Sequence, residues 1–88
     1  MEPVNSVVID LMIEDEPNPD ALNHLPVERR ACYHPSSADK RFECTVITLG
    51  KSRKILATTP RFSWVRVVGT MQGGDIIQAE YLHVTKGA

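Results

Sequence analysis

Turn-forming residues cut this chain into apolar runs too short for anything but strands. Pro17, Pro19 and Pro26 fall within ten residues of one another, Pro35 and Pro60 follow, and Gln72-Gly73-Gly74-Asp75 carries paired glycines. Proline removes a backbone donor and fixes φ, so no long regular element runs through residues 14–26. Paired glycines supply the positive φ that a tight hairpin needs. Between these breaks the apolar residues are mainly Val and Ile, which favour a pleated backbone.

Five or six strands follow from this punctuation. Residues 7–13 (VVIDLMI) form the first and residues 27–33 (VERRACY) the second, and residues 42–49 (FECTVITL) form the third. Residues 55–58 (ILAT) read as a short strand after the basic turn at 50–54, closed by Pro60. Residues 63–71 (SWVRVVGTM) and 76–84 (IIQAEYLHV) make the closing hairpin. In residues 62–71 the alternation puts Ser63, Val65, Val67 and Gly69 on one face and Phe62, Trp64, Arg66 and Val68 on the other, with Phe62 near the line of Trp64 and Arg66. A single helical turn is expected around Asp20–His24, and residues 34–40 (HPSSADK) read as a turn. No amphipathic helix is expected.

At 88 residues the chain makes one domain, spanning residues 1–88, with an acidic proline-rich loop at 14–26. A sheet of this size has exposed edges, and closing into a small barrel removes them. The expected fold is therefore all-β, a small five-stranded Greek-key barrel of the OB type, with an SH3-like barrel as the structural competitor.

The closing hairpin carries a resemblance. Val65-x-Val67-x-Gly69, a turn, then Ile77-x-Ala79 followed by Leu82 and Val84 resembles the corresponding hairpin of single-stranded-DNA-binding OB proteins. Asn5-Ser6-Val7-Val8-Ile9 before an acidic loop is similar to the opening strand of the bacterial single-strand-binding family, and the primosomal replication protein of the same fold is similar in size. The stretch from Trp64 to Val84 carries the likeness well, about a quarter of the chain, and the remainder follows by strand order. The family's glycine after the first strand has no counterpart between Asp10 and Glu16, nor has its acidic-tipped tail in these 88 residues. The resemblance implies non-catalytic binding of single-stranded DNA, with RNA as a further ligand, in replication, recombination or repair.

Single-stranded nucleic acid requires cations along the phosphates and flat side chains for the bases. The candidate residues are Lys51, Arg53 and Lys54 in the basic turn, Trp64 and Arg66 on one strand face, and Lys40, Arg41 and Tyr33. Charge is polarised along the chain. Residues 1–28 hold seven acids and no Lys or Arg, whereas residues 29–88 hold ten bases and four acids. Two outcomes are open: one attractive patch, or halves that neutralise each other on folding. Arg29 and Arg30 are equally open to pairing with the loop acids. The second functional hypothesis is an interaction subunit that docks a partner through its acidic N-terminal region. A homodimer or a replication or repair protein is the expected partner, and no membrane.

Other chemistry finds little footing. Cys32-x-His34 with Cys44 lacks the close pairing of zinc sites, so no metal and no cofactor are expected. No phosphate-binding glycine loop or activated serine is evident, and no enzyme is expected. Two cysteines do not make a disulfide scaffold, and the start lacks a basic signal region, so an intracellular location is expected.

Overall fold

The computed structural model describes residues 6–18, 20, 23, 26–33 and 41–88. Five strands and one helix follow in chain order: β1 (Ser6–Ile13), β2 (Val27–Tyr33), β3 (Phe42–Thr48), α1 (Arg53–Thr58), β4 (Trp64–Met71) and β5 (Ile76–Lys86). The strands close into a barrel in the order β1-β2-β3-β5-β4. All pairings are antiparallel except β3 with β5, which run parallel across the connection that carries α1 and β4. This is the five-stranded Greek-key barrel of the OB-fold.

The interior is made by alternate residues of every strand. Leu11 and Ile13 of β1, Val27 and Ala31 of β2, Val46 of β3, Val65 and Val67 of β4, and Ile77, Ala79 and Leu82 of β5 are buried together. The inward set expected for residues 63–69 holds, since Ser63, Val65, Val67 and Gly69 are all buried. Gly69 sits at a register shift where β4 meets β5, and a Cβ there would run into the Gln78 backbone carbonyl. Only glycine allows the strands to approach this closely. The turn at 72–75 holds φ of 88° at Gly73 and 55° at Gly74.

One expected strand is a helix instead. Residues 53–58 form α1, so the ILAT run is not a strand, and Arg53 and Lys54 belong to the helix's first turn rather than to a loop. Two adjacent residues, Leu56 and Ala57, are buried there and join the core beneath β2 and β5. A strand would have sent one of that pair outward. Leu, Ala, Lys and Arg all suit a helix, and six residues are too few for a hydrophobic period to be visible in the sequence. Pro60 ends the helix by forcing Thr59 into extended backbone, φ −62° and ψ 126°.

The segment after β1 contains no long regular element among the described residues, and Asp20 N–H donates to Asn18 Oδ1 at 3.0 Å in a local turn. The expected helical turn at 20–24 falls mostly outside the described residues, as does the turn at 34–40. No described helix is long and apolar enough to cross a membrane.

Candidate functional site

β2 carries two adjacent arginines with opposite fates, and they set out the site. Arg29 points inward and is 2% exposed, whereas the Arg30 side chain is 68% exposed. The Arg29 guanidinium donates from Nη1 to the carbonyls of Leu56 and Thr59, both at 2.8 Å. It also donates from Nε to Asp15 Oδ1 and from Nη2 to the Asp15 carbonyl, both at 2.6 Å. Arg29 therefore satisfies the orphan carbonyls at the end of α1 and fixes the start of the acidic loop with the same planar group. The second Asp15 oxygen accepts the Arg30 backbone N–H at 3.2 Å.

Arg30 opens onto a cleft of about 210 Å³ lined by Glu14, Asp15, Arg30, Arg41, Glu43 and Arg61. A second hollow, which shares Asp15 and Arg30 and adds Glu28, Arg29 and Thr45, continues it along the outer face of β2 and β3. In OB-folds this face, with the loop between the first two strands, receives oligonucleotides and oligosaccharides. The three arginines come from three places: Arg30 from β2, Arg41 from just before β3, and Arg61 from the turn before β4. Arg41 pairs with Glu14 and also lies 3.4 Å from Glu43, which is 3.7 Å from Arg30. Arg61 donates from Nε to the Glu14 carbonyl at 2.8 Å and lies 3.7 Å from Glu16.

Electrostatics follow from this crowding. Burial pushes the Glu14 carboxyl up, but hydrogen bonds from Arg41 and the Cys32 thiol more than reverse it, and it titrates below the usual glutamate range. Burial, then Glu14, pushes the Cys32 thiol up. Burial chiefly raises the Cys44 thiol to about 11. Both cysteines are free thiols.

Next to the cleft is a strained aromatic. Ser63 N–H donates to the Pro60 carbonyl at 3.2 Å, closing a turn in which Phe62 adopts φ 71°. That is the position where such a turn normally places glycine, and left-handed backbone at a bulky residue costs on the order of 1–3 kcal/mol. The Phe62 ring is 50% exposed, and the Arg61 guanidinium lies 4.5 Å from its centroid.

The residues singled out from sequence do not share one channel. Lys51 and Lys54 are exposed, and Arg53 donates to the Gly50 carbonyl at 3.2 Å, all three around the start of α1. Arg66 does face outward on β4, but Asp10 of β1 takes its guanidinium with both oxygens, at 2.8 and 3.1 Å. The bond from Arg66 holds the Asp10 carboxyl below the usual aspartate range. Trp64 is half-buried on the same outer face, beside Met12 of β1 and Lys86 of β5. Tyr33 stacks on Phe42 with centroids 5.2 Å apart and also packs against the core. Lys40 lies outside the described residues. Of the seven that are described, Arg41 alone lines the cleft.

Sequence reasoning missed Arg61, and it set Phe62 in line with Trp64 and Arg66 on a strand face rather than in a turn beside the cleft. The signal was present in the run Pro60-Arg61-Phe62, a cation and a flat ring placed in a turn by the proline. The polarised charge is largely consumed inside the fold. Asp10, Glu14, Asp15 and Glu16 of the acidic half are paired with Arg66, Arg41, Arg29 and Arg61 of the basic half. Among the described residues no group of three His, Cys, Asp or Glu side chains stands ready to hold a metal ion. No family model, curated protein or solved structure matches the chain.

Proposed function

We propose that this chain is a non-catalytic OB-fold protein that binds single-stranded nucleic acid, DNA foremost, in replication, recombination or repair, as the likeness to the single-strand-binding and primosomal proteins implies. The observation that carries this reading is the convergence of Arg30, Arg41 and Arg61 on one cleft of the β2–β3 face. Guanidiniums recognise phosphates bidentately and stack on flat rings. Glu43 and Glu16, the partners of Arg30 and Arg61, are exposed, and such surface pairs are worth about 0–1 kcal/mol and exchange readily, whereas Glu14, the partner of Arg41, is partly buried. Phe62, held exposed at the price of backbone strain, offers a ring to a base beside Arg61.

Docking of a basic partner through the acidic N-terminal region is the weaker reading. Four of that region's carboxylates already have arginine partners within the chain.

The test is fluorescence anisotropy of a labelled oligo-dT at low salt. Affinity is expected to fall with salt, and Arg30→Ala and Arg61→Ala each to lower the slope by about 0.7, the loss of one phosphate contact on a single strand. Phe62→Ala is expected to weaken binding by about 1–3 kcal/mol, as for one stacked base. A combined Lys51→Ala, Arg53→Ala, Lys54→Ala variant is expected to bind as the parent does. Absence of binding at low salt overturns the proposal, and loss confined to the α1 variant overturns the choice of face.

A further inference from the structure

Glu14 touches all three arginines of the cleft. Its backbone N–H donates to the Arg30 carbonyl at 2.9 Å, its carbonyl accepts Arg61 Nε at 2.8 Å, and its carboxylate holds Arg41. The buried Cys32 thiol donates to the same carboxylate. The chain on either side holds Glu14 in place. Ile13, the last residue of β1, donates its N–H to the Ser63 carbonyl at 2.9 Å and accepts the Phe62 N–H at 2.7 Å. Asp15 is gripped by the buried Arg29 guanidinium through both its carboxylate and its carbonyl.

The other carboxylates that meet these arginines are held differently. The Glu43 side chain is 59% exposed and lies 3.4 Å from Arg41 and 3.7 Å from Arg30, and that of Glu16 is 74% exposed and lies 3.7 Å from Arg61. The Glu14 side chain is 19% exposed. A phosphate replaces Glu43 or Glu16 at little cost, because exposed pairs contribute little. Pulling Arg41 away from Glu14 costs more, because it leaves a partly buried carboxylate without its cation. Both carboxylate contacts of Arg41 fall on Nη2, and a guanidinium has further N–H groups to offer a phosphate. One planar group can therefore keep Glu14 and bind a ligand.

A long side chain that turns freely loses entropy when a ligand fixes it, and a neighbour that fixes it beforehand removes that loss. Resting on the nucleic-acid reading, we infer that Glu14 is a positioning residue. It presents Arg41 to the strand and keeps its bond in the complex, whereas Glu43 and Glu16 are placeholders that the phosphates displace. By charge alone, all three acids would oppose a polyanion in the same sense. Positioning reverses the sign at Glu14 only.

The test is the affinity for labelled oligo-dT at low salt, compared across variants. A Glu16→Gln, Glu43→Gln chain loses two competing charges and is expected to bind at least about twofold more tightly. Glu14→Gln also loses a charge, yet is expected to bind about two- to tenfold more weakly, the cost of ordering one long side chain. Glu14→Asp keeps the charge but shortens the reach to Arg41 by one methylene, and is expected to weaken binding too, which charge alone does not do. In an Arg41→Ala background neither Glu14 change is expected to weaken binding further, because Glu14 acts through that guanidinium. A merely structural role weakens binding in both backgrounds. Should one Glu14 variant fail to fold, the other carries the test together with the Glu16→Gln, Glu43→Gln chain. An unaltered chain that binds, with Glu14 variants that bind as well or better, overturns this inference and leaves the nucleic-acid reading standing. Weakening that persists without Arg41, or a Glu16→Gln, Glu43→Gln chain that binds no more tightly, does the same. Absence of binding by the unaltered chain and by every variant overturns that reading, and this inference with it.

Discussion

Replacing Arg29 by Met separates a structural arginine from its exposed neighbour and puts a number on the difference. The Arg29 guanidinium makes four hydrogen bonds, two of them to the carbonyls of Leu56 and Thr59. Met fills a similar length but donates nothing. Each buried carbonyl left without a donor costs about 1–3 kcal/mol. Asp15 loses less, because its side chain is 37% exposed and water replaces part of the pair. The expected loss is therefore about 3–5 kcal/mol, in line with breaking a buried ion pair from one side. Against a total of about 5–15 kcal/mol for a domain, this is a large fraction.

The assay is urea and thermal unfolding of four chains: unaltered, Arg29→Met, Arg29→Lys and Arg30→Ala. At about 4–8 °C per kcal/mol for a domain of this size, Arg29→Met is expected to lower Tm by at least about 12 °C. Lysine keeps the charge but not the planar fork, so Arg29→Lys is expected to recover only part of the loss. Arg30→Ala is expected to fall within about 0.5 kcal/mol of the parent, as for an exposed side chain. Amide exchange at Leu56 and Ala57 should quicken in Arg29→Met alone, because that residue holds the end of α1. A loss below about 1 kcal/mol, or an equal loss in Arg30→Ala, refutes the argument that one guanidinium ties the helix, the loop and β2 together.

Gly69→Ala is expected to cost about 1–3 kcal/mol or more by urea unfolding, because the new methyl meets the Gln78 carbonyl rather than a yielding side chain; an unchanged midpoint contradicts it. Asp10 and Glu14 both titrate below their ordinary range. Groups of this kind stabilise the fold above their unfolded pKa and lose that contribution as pH falls through the folded value. Tm is thus expected to drop between about pH 5 and pH 2, less steeply in an Asp10→Asn, Glu14→Gln chain, and parallel curves for the two chains contradict the assignment. With the Cys44 thiol raised to about 11, its alkylation by iodoacetamide near pH 8 should run at least about tenfold slower than that of an unperturbed thiol, the loss of thiolate being partly offset by its greater nucleophilicity; a rate near the free-cysteine value contradicts it.

What the sequence disclosed and what it hid follow from range. The closing hairpin was legible because its cues are local: alternation through Val65 and Val67, a glycine where strands crowd, and paired glycines in the turn. β2 was legible for the same reason, since Pro26 precedes it and Val27, Ala31 and Tyr33 fall on one face. α1 was hidden because six residues complete fewer than two helical turns, and Ile55-Leu56-Ala57-Thr58 is as apolar as a strand. The inward aim of Arg29 could not be read from period two alone. Alternation places it with Val27 and Ala31, but only the carbonyls at the end of α1 and the Asp15 carboxylate, 27 to 30 and 14 residues away, make that position tolerable for a guanidinium. The cleft was hidden for the same reason, since its three arginines come together only when the barrel closes.

The pairing of the two charged halves also bears on how a ligand would be held. A chain whose acids stayed solvated would carry a field set by its basic half, and a polyanion would be steered to whichever cations stood nearest in sequence, such as Lys51 to Lys54. Here Asp10 occupies Arg66, and Glu14 and Glu16 occupy Arg41 and Arg61. Among the described residues the basic run of Lys51, Arg53 and Lys54 keeps no carboxylate partner, whereas the arginines of the cleft are each held by one. A phosphate entering the cleft exchanges one anionic partner for another at each guanidinium, so net attraction is small while geometric selection is high: the arginines are already oriented by the carboxylates they would release. That favours a ligand able to satisfy several of them at once, as a continuous phosphate backbone can and a single small anion cannot.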